Sequence, residues 1–384
     1  MQDLWQQSKN FSCAIRQHFH QYPELSWQEH ATAEKIRQAL NALNIPWQAV
    51  ADTGTIATLN ANASGPHLAF RADIDALPIH EKSELACCSQ HAGVMHACGH
   101  DGHTAALLGF AQWAKAQEHQ LQGPVSLVFQ PAEEGGHGAK KIVESGLLDS
   151  VDAIYGWHNW PSAPLGQLFC PDQLVMSGNG TFEIEVIGQG GHASQPELCK
   201  DPVLAASAIH LNLQQIATRL HAASSPIVVT VTSFEAPSSV TVIPDKAKLQ
   251  GSIRVPNEEI KALVNQQIIQ ISEQTAQLYG VQVAVTIHPR YQATINHPNQ
   301  AQQMRQAWQT LYGTSSVNER SPAAMASEDF SYYLNHLPGA FALIGTGDSG
   351  QFSKPLHNAQ YQFNDAILPK VIRLFSHLAG LNTT

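Results

Sequence analysis

The chain has 384 residues, more than one ordinary hydrophobic core accommodates, since single cores stop growing near ~250 to 300 residues, so two domains are expected. Its 43% hydrophobic content is that of a globular protein, and no apolar run approaches the ~18 residues that a membrane span requires. With 21 Lys and Arg against 31 Asp and Glu, the net charge of −10 argues against nucleic acid as a partner, because phosphate backbones are bound through basic patches that this chain lacks.

The N-terminal segment MQDLWQQSKNFSCAIRQHF has no basic start, apolar stretch or small-residue cleavage site, which makes a cytoplasmic location the expectation. Six scattered cysteines suit reduced thiols rather than a disulfide framework. Ser26 and Glu29 have capping-box spacing ahead of an apolar stripe at Ile36, Leu40 and Leu43, predicting an amphipathic helix over 27–43. The short apolar runs HLAF (67–70), VSLVF (125–129), AIYGW (153–157) and GAFALIG (339–345) read as buried strands. Helical stretches such as 104–116 separate them, a pattern that implies an open α/β sheet with helices on its faces.

Between these strands the rhythm changes. Strand TFEIEVIG, helix 202–220, strands IVVTVTSF and KAKLQGSIRV, helix 258–279 and strand VQVAVTIH follow one another as β-α-β-β-α-β, the ferredoxin-like unit. Residues 179–290 are therefore expected to form an insert, with 1–178 and 291–384 making the surrounding domain. Asp201 and Pro202 suit the cap and first position of one insert helix, and Gly280 suits the end of the other.

Ligands of open α/β sheets bind at the carboxyl ends of the strands, and polar residues collect there in this sequence. Asp73 and Asp75 follow HLAF, Glu133 and Glu134 follow VSLVF, His158 follows AIYGW, and His357 lies in the loop after GAFALIG. The segment MHACGHDGH puts Cys98, His100 and Asp101 in the expected approach to the helix at Thr104. Thiolate, imidazole and carboxylate are metal ligands, and Gly99 permits a tight turn between them. Taken alone, each signal has an ordinary reading: Asp101 as a helix cap, Cys98 as a small apolar group, the vicinal glutamates as a solvated loop, and the histidines as surface residues. Their shared strand-end placement is what favours a metal site, although histidine is so abundant here, with 20 copies, that number alone carries nothing.

The motifs FRADIDALPI, MHACGHDGHTAALLG, VFQPAEEGGHGA, YGWHN, GQGGHAS, VIPDKAKLQGSIR, SEDFSYYL and PLHNAQYQFND resemble those of the N-acyl-amino-acid amidohydrolases. That group includes hippurate hydrolase, indoleacetyl-amino-acid hydrolase and N-acetyldiaminopimelate deacetylase, within the aminoacylase and glutamate carboxypeptidase superfamily. The resemblance runs from residue 20 almost to the C-terminus. It implies a zinc-exopeptidase-like catalytic domain with an inserted ferredoxin-like lid or dimerisation domain. It further implies a two-metal centre held by Cys98, His100, Glu134, His158 and His357, with Glu133 as general base and Asp73 behind a ligand histidine. In the insert, it gives His192 to the scissile region and Arg254 to the substrate carboxylate, although Arg254 reads equally as a strand residue paired across the sheet.

The implied cofactors are two divalent metal ions per subunit, zinc or manganese, with cobalt or nickel also compatible with this donor set. The implied partners are a small N-acyl amino acid and a second copy of the chain. Two departures from the group bear on the pocket: Thr241 where Asn is usual, and Glu197 where His is frequent. Three other readings remain at this level: a dipeptidase with the same metals, a cysteine hydrolase built on Cys98 and His100, and a metal-storage protein. The last leaves Glu133 without a purpose, and the second leaves the other carboxylates and histidines idle.

Overall fold

The computed structural model describes residues 2–320, 322 and 325–382. The chain forms two compact units: Met1–Val175, Thr294–Ala323 and Asp329–Thr384 make the first, Met176–Ala293 and Ala324–Glu328 the second. The first unit begins with helices α1 (Gln2–Gln21) and α2 (His30–Ala42) and strands β1 (Trp47–Val50), β2 (Gly54–Leu59) and β3 (Leu68–Asp73). Helix α3 (His100–Lys115), strand β4 (Val125–Gln130), helix α4 (Gly138–Glu144) and strands β5 (Ala153–Pro164), β6 (Leu168–Phe169) and β7 (Leu174–Met176) follow. The second unit runs β8 (Gly178–Ile187), β9 (Gly191–His192), α5 (Pro202–Leu213), α6 (Gln215–Arg219), β10 (Val228–Glu235), β11 (Val242–Ile243), β12 (Lys246–Val255), α7 (Glu258–Tyr279) and β13 (Gln282–Pro289). The chain re-enters the first unit with β14 (Thr294–Ile295), α8 (Pro298–Tyr312), β15 (Val317–Asn318), α9 (Ser331–His336), β16 (Gly339–Gly347) and α10 (Leu368–Leu378).

The first unit is built on an eight-stranded sheet in the order β1-β2-β4-β3-β5-β16-β6-β15. Its centre, β4-β3-β5-β16, is parallel. Antiparallel pairs flank that centre, β1 with β2 and β2 with β4 on one side, β6 with β16 on the other. The central strands are apolar on both faces because helices cover both, and α3 is itself buried along nearly its whole length. Phe70 of β3, Phe110 of α3 and Phe375 of α10 interlock with ring centroids 4.7 to 5.8 Å apart, joining sheet and helices in one core. Among the described residues no helix is long and apolar enough to cross a membrane.

The second unit carries an antiparallel four-stranded sheet in the order β10-β12-β8-β13, the ferredoxin-like arrangement. Phe182, Ile184 and Val186 of β8 turn inward to a core shared with α5 and α7, while Thr181, Glu183 and Glu185 alternate onto the open face. Asp201 caps α5 by accepting from the N–H groups of Val203 (2.8 Å) and Leu204 (3.1 Å). Gly280, at φ 67°, ends α7 in the left-handed conformation glycine tolerates. The helix expected over 202–220 is divided at Gln214 into α5 and α6.

Two local expectations are corrected. The helix near residue 30 has no Ser26/Glu29 capping box: Ser26 donates to Asp75 (2.6 Å), and the buried Glu29 accepts from Thr53 Oγ1 (2.7 Å) and the Ala132 N–H (2.9 Å). Glu24 caps α2 instead, accepting from the N–H groups of Ala31 (3.1 Å) and Thr32 (2.8 Å). Both expected capping groups are taken up by buried donors and acceptors, whose loss costs more than a frayed, solvated helix end. Helix α3, expected to begin at Thr104, begins at His100 with Gly99 as its cap residue, so His100 and Asp101 stand in its first turn and Asp101 is not the cap.

Candidate metal centre

The site is assembled at the carboxyl edge of the central parallel strands. β3 ends at Asp73, and Asp75 lies two residues beyond it. Thr104 of α3 donates to the Asp73 carbonyl (2.8 Å), which fixes the start of that helix against the strand end. Between them Gly99 sits at φ 94°, where a Cβ would collide with the Asn159 side chain and the Tyr361 hydroxyl. Only glycine allows the chain to carry Cys98 and His100 round this corner. β5 continues to Pro164, so His158, expected just after a strand, lies within one. His357 stands in the loop after β16 at φ 63°, and its N–H donates to the Ala97 carbonyl (2.8 Å), tying it to the Cys98 segment. Ala132 (φ 51°) and His137 (φ 59°) are also left-handed, flanking Glu133 and Glu134, and such strained non-glycine residues cluster at functional sites.

These elements bring the five expected ligands together. Cys98 Sγ lies 3.4 Å from His158 Nε2 and 3.3 Å from His357 Nε2, and Glu134 Oε1 lies 3.2 Å from His357 Nε2. The donor atoms of Cys98, His100 and His158 fall within 4.8 Å of one another, as do those of Cys98, Glu134 and His357, and those of His100, Glu133 and Glu134. Cys98 belongs to two of these triads. The rear nitrogens are engaged: His100 Nδ1 donates to the Asp75 carbonyl (2.8 Å) and faces its carboxylate (3.3 Å), and His158 Nδ1 donates to the Asn159 carbonyl (2.8 Å). This turns each Nε2 toward the cluster, the arrangement metal-bound histidines adopt. His100 Nε2, fully buried, makes no hydrogen bond.

Asp75 is the organising group that the sequence left without an assignment. Besides His100 and Ser26, its carboxylate accepts the N–H of Glu133 (3.1 Å) and of Glu134 (3.0 Å), so one buried side chain orients a ligand imidazole and the loop bearing both glutamates. Asp73, expected behind a ligand histidine, makes its shortest contact with His103 Nδ1 (2.6 Å) and also accepts from Arg71 (2.7 Å). It faces His100 on the Nε2 side at 3.6 Å, so the backing of His100 belongs to Asp75. His103 in turn lies 2.7 Å from the Asn159 side chain, next to His158. The i, i+3 spacing of His100 and His103 was the available sign that both face the site from α3. Arg71 also donates to Gln130 (2.8 Å) and Asp329 (3.1 Å), and the Asp329 N–H points to Glu133 Oε1 (3.4 Å).

The electrostatics are those of a cation site. Burial, then Glu134, Glu133 and Asp73, push the Cys98 thiol well above its ordinary range. Burial works against a charged His100, but Asp73, Asp75 and Glu134 hold it up, at about 10. Burial and the neighbouring His103 hold His158 well below the usual histidine range, as a neutral imidazole. Burial would raise Asp73, yet His100, Arg71 and His103 keep it well below the usual carboxylate range. A cluster so rich in carboxylate and thiol suits divalent cations, whose binding displaces the protons of Cys98 and His100.

His192 and Arg254 belong to the second unit. His192 is exposed on β9, and Ser194 donates to its Nδ1 through both N–H (3.2 Å) and hydroxyl (2.7 Å). A backbone N–H can only donate, so Nδ1 accepts and the neutral ring carries its proton on Nε2. Arg254 is half-buried on the open face of the sheet, opposite Asn179 and Val228, and donates to Ser252 Oγ (3.0 Å) and the Ile253 carbonyl (3.0 Å). It has no cross-strand carboxylate partner among the described residues.

A model of peptidase family M20/M25/M40 matches residues 69–380. N-acetyl-L-cysteine deacetylase of Bacillus subtilis is 38% identical over 342 residues, 89% of this chain and 82% of that protein. Hippurate hydrolase of Campylobacter jejuni is 33% identical, covering 95% of this chain and 94% of its own. Among solved structures, the YXEP protein of Bacillus subtilis, a dinuclear metal binding peptidase from the M20 family, superimposes with a TM-score of 0.85 at 32% identity, covering 97% of this chain and 98% of its own.

Proposed function

The chain belongs to peptidase family M20/M25/M40, and from that premise we propose that it is a metal-dependent amidohydrolase that cleaves the amide bond of small N-acyl amino acids, yielding a carboxylic acid and a free amino acid. The observation that carries this reading is the convergence of Cys98, His100, Glu134, His158 and His357 beside Glu133. The donor set fits two divalent cations: the Nε2 atoms of His158 and His357 face the Cys98 sulfur, His100 Nε2 is buried without a hydrogen bond, and Cys98 is shared between two triads. Bound there, such cations supply Lewis acidity, acidifying water and polarising the amide carbonyl. Thiolate and imidazole favour zinc, and the carboxylate share favours manganese.

Glu133 stands among these ligands with its N–H held by Asp75. Its carboxylate takes a proton from the attacking water and delivers it to the departing amine. Glu134, turned toward His357, holds metal. Asp75 keeps both glutamates and His100 in register. A cysteine nucleophile is disfavoured, because Cys98 is buried among carboxylates that suppress the thiolate, the reverse of an activated cysteine. Six free cysteines suit action in the cytoplasm. A panel of N-acetyl and N-benzoyl amino acids, assayed with each metal and after chelation, tests this reading. Full activity in verified metal-free protein overturns it, and activity confined to unblocked dipeptides favours a dipeptidase.

His192 and Arg254 lie at opposite ends of the second unit's sheet. Arg254 pairs with Asn179 at the start of β8, while His192 follows the end of that strand. Ten residues of strand span roughly 30 Å, more than an N-acyl amino acid can bridge. That separation supports a reading in which the two residues that serve one substrate come from different copies of the chain. We assign His192 to the second copy, its Nε2–H stabilising the oxyanion in a partner subunit. The edge strand β10, with Val228 and Phe234 exposed, and Leu204 and Leu211 exposed on α5, provide an apolar surface for a two-fold dimer.

A further inference from the structure

Glu133 lies in the loop between β4 and α4, where no regular hydrogen-bond ladder supports it, and it is held at both ends. Asp75 takes its N–H (3.1 Å), which fixes the main chain, and the N–H of Asp329 faces its Oε1 (3.4 Å), which fixes the carboxylate. The second contact is long for an N–H···O bond, as hydrogen bonds to catalytic groups often are before the reactive complex forms. Asp329, in the segment SEDFSYYL, is not among the five ligands above.

The Asp329 side chain is fully buried and takes hydrogen bonds from three elements. Arg71 of β3 donates to Oδ1 (3.1 Å), and Gln130 at the end of β4 donates to both oxygens (2.9 and 3.0 Å). The Ala139 N–H, in the first turn of α4, donates to Oδ2 (3.0 Å). Arg71 Nε donates in turn to Gln130 Oε1 (2.8 Å), so guanidinium, amide and carboxylate close a ring. The Asp329 carbonyl accepts from the Tyr332 N–H (3.0 Å) at the start of α9. An ion pair with Arg71 alone would satisfy the charge. Bonds from three directions also fix the position of the residue, and with it the direction of its main-chain N–H.

We propose that Asp329 is a positioning residue for Glu133: its side chain, locked by Arg71, Gln130 and Ala139, holds its own N–H against the Glu133 carboxylate and so sets where the general base sits. This rests on the amidohydrolase reading, and the experiment separates the two.

Asp329→Asn, Gln130→Met and each of these combined with Glu133→Gln are assayed, metal-loaded, on the N-acyl amino acid that the wild type cleaves fastest. Asn turns an NH2 group toward at least one of the donors around it, and Met removes both contacts from Gln130. The expected kcat falls about 10- to 100-fold for Asp329→Asn and about threefold or more for Gln130→Met, as when a reacting group is misplaced, with KM and metal content unchanged. In the Glu133→Gln background each substitution should cost about twofold or less, because an effect transmitted through the Glu133 carboxylate disappears with it. If both single variants keep kcat within about twofold of the wild type, or lose the same factor when Glu133 is already Gln, the positioning role is refuted and Asp329 is an ordinary buried ion-pair residue, while the amidohydrolase reading stands. Should Asp329→Asn fail to fold, Gln130→Met decides by the same criteria. If the wild type hydrolyses no N-acyl amino acid in the panel, the amidohydrolase reading falls and takes this one with it.

Discussion

Replacing Asp75 by Asn tests the site through the group that organises it. The carboxylate accepts from Ser26 Oγ (2.6 Å), the Glu133 N–H (3.1 Å) and the Glu134 N–H (3.0 Å), and it faces His100 Nδ1 (3.3 Å), all in a fully buried place. Asn keeps the shape but offers one acceptor oxygen and turns an NH2 group toward at least one buried donor. One charge-assisted bond is lost and one donor is left facing another, each worth about 1.5 to 3 kcal/mol, so the expected loss of stability is on the order of 3 kcal/mol. The Nδ1 of His100 still has the Asp75 carbonyl (2.8 Å), so the imidazole keeps its orientation but loses the nearby negative charge. The expected result is about a 10- to 100-fold weaker metal affinity, as is typical when a group behind a ligand is removed, with kcat reduced even at saturating metal because the Glu133 loop shifts. Equilibrium dialysis with metal analysis gives the affinity, denaturant unfolding the stability, and initial rates the kcat. Unchanged affinity together with unchanged kcat would refute Asp75 as the organising group.

Glu133→Gln removes the base and keeps the shape, so kcat should fall by at least ~10² to 10⁴ with metal content unchanged, and loss of a metal ion instead would exchange the parts given to Glu133 and Glu134. Mixing inactive Glu133→Gln with inactive His192→Ala protein, after subunit exchange has been verified, should restore activity, because some dimers then pair an intact Glu133 with the partner's intact His192. No recovery would exclude donation between subunits. Metal loading of the apoprotein at neutral pH should release protons into weakly buffered solution, since Cys98 and His100 hold theirs until displaced, and apparent affinity should weaken as the pH falls. Buried His20, 2.9 Å from Asp101 and 3.1 Å from Glu81, is held up at about 10 by these partners against the effect of burial. A raised folded-state value stabilises fully below the unfolded value of ~6.5 and is lost as pH rises toward about 10, so wild-type stability should decline between pH 7 and 10 by on the order of a few kcal/mol relative to His20→Phe, and parallel pH profiles would count against the ion pair.

Local pattern determined a good deal of this protein. The apolar runs that became β3, β4, β5 and β16, the β-α-β-β-α-β rhythm of the second unit, and the caps at Asp201 and Gly280 depend on periodicity and backbone preference within a few residues, and these are written in the chain itself. The same locality marked the polar residues at the strand ends, Asp73, Asp75, Cys98, His100, Asp101, Glu133, Glu134, His158 and His357, because the rule that sites lie there needs only the strands to be recognised, while the choice of five ligands among them came from the family resemblance. What tertiary structure decided is which buried polar group meets which. Ser26 and Glu29 have the spacing of a capping box, yet the fold gives them to Asp75, Thr53 and Ala132. Asp73 and Asp75 look alike in sequence, yet the exit of the chain from β3 sends one to His103 and Arg71 and the other to His100 and the two glutamates. Hydrophobic periodicity is a short-range property of the chain, whereas a buried donor or acceptor is satisfied by whatever the packed fold brings within about 3 Å, and that partner is usually far away in sequence.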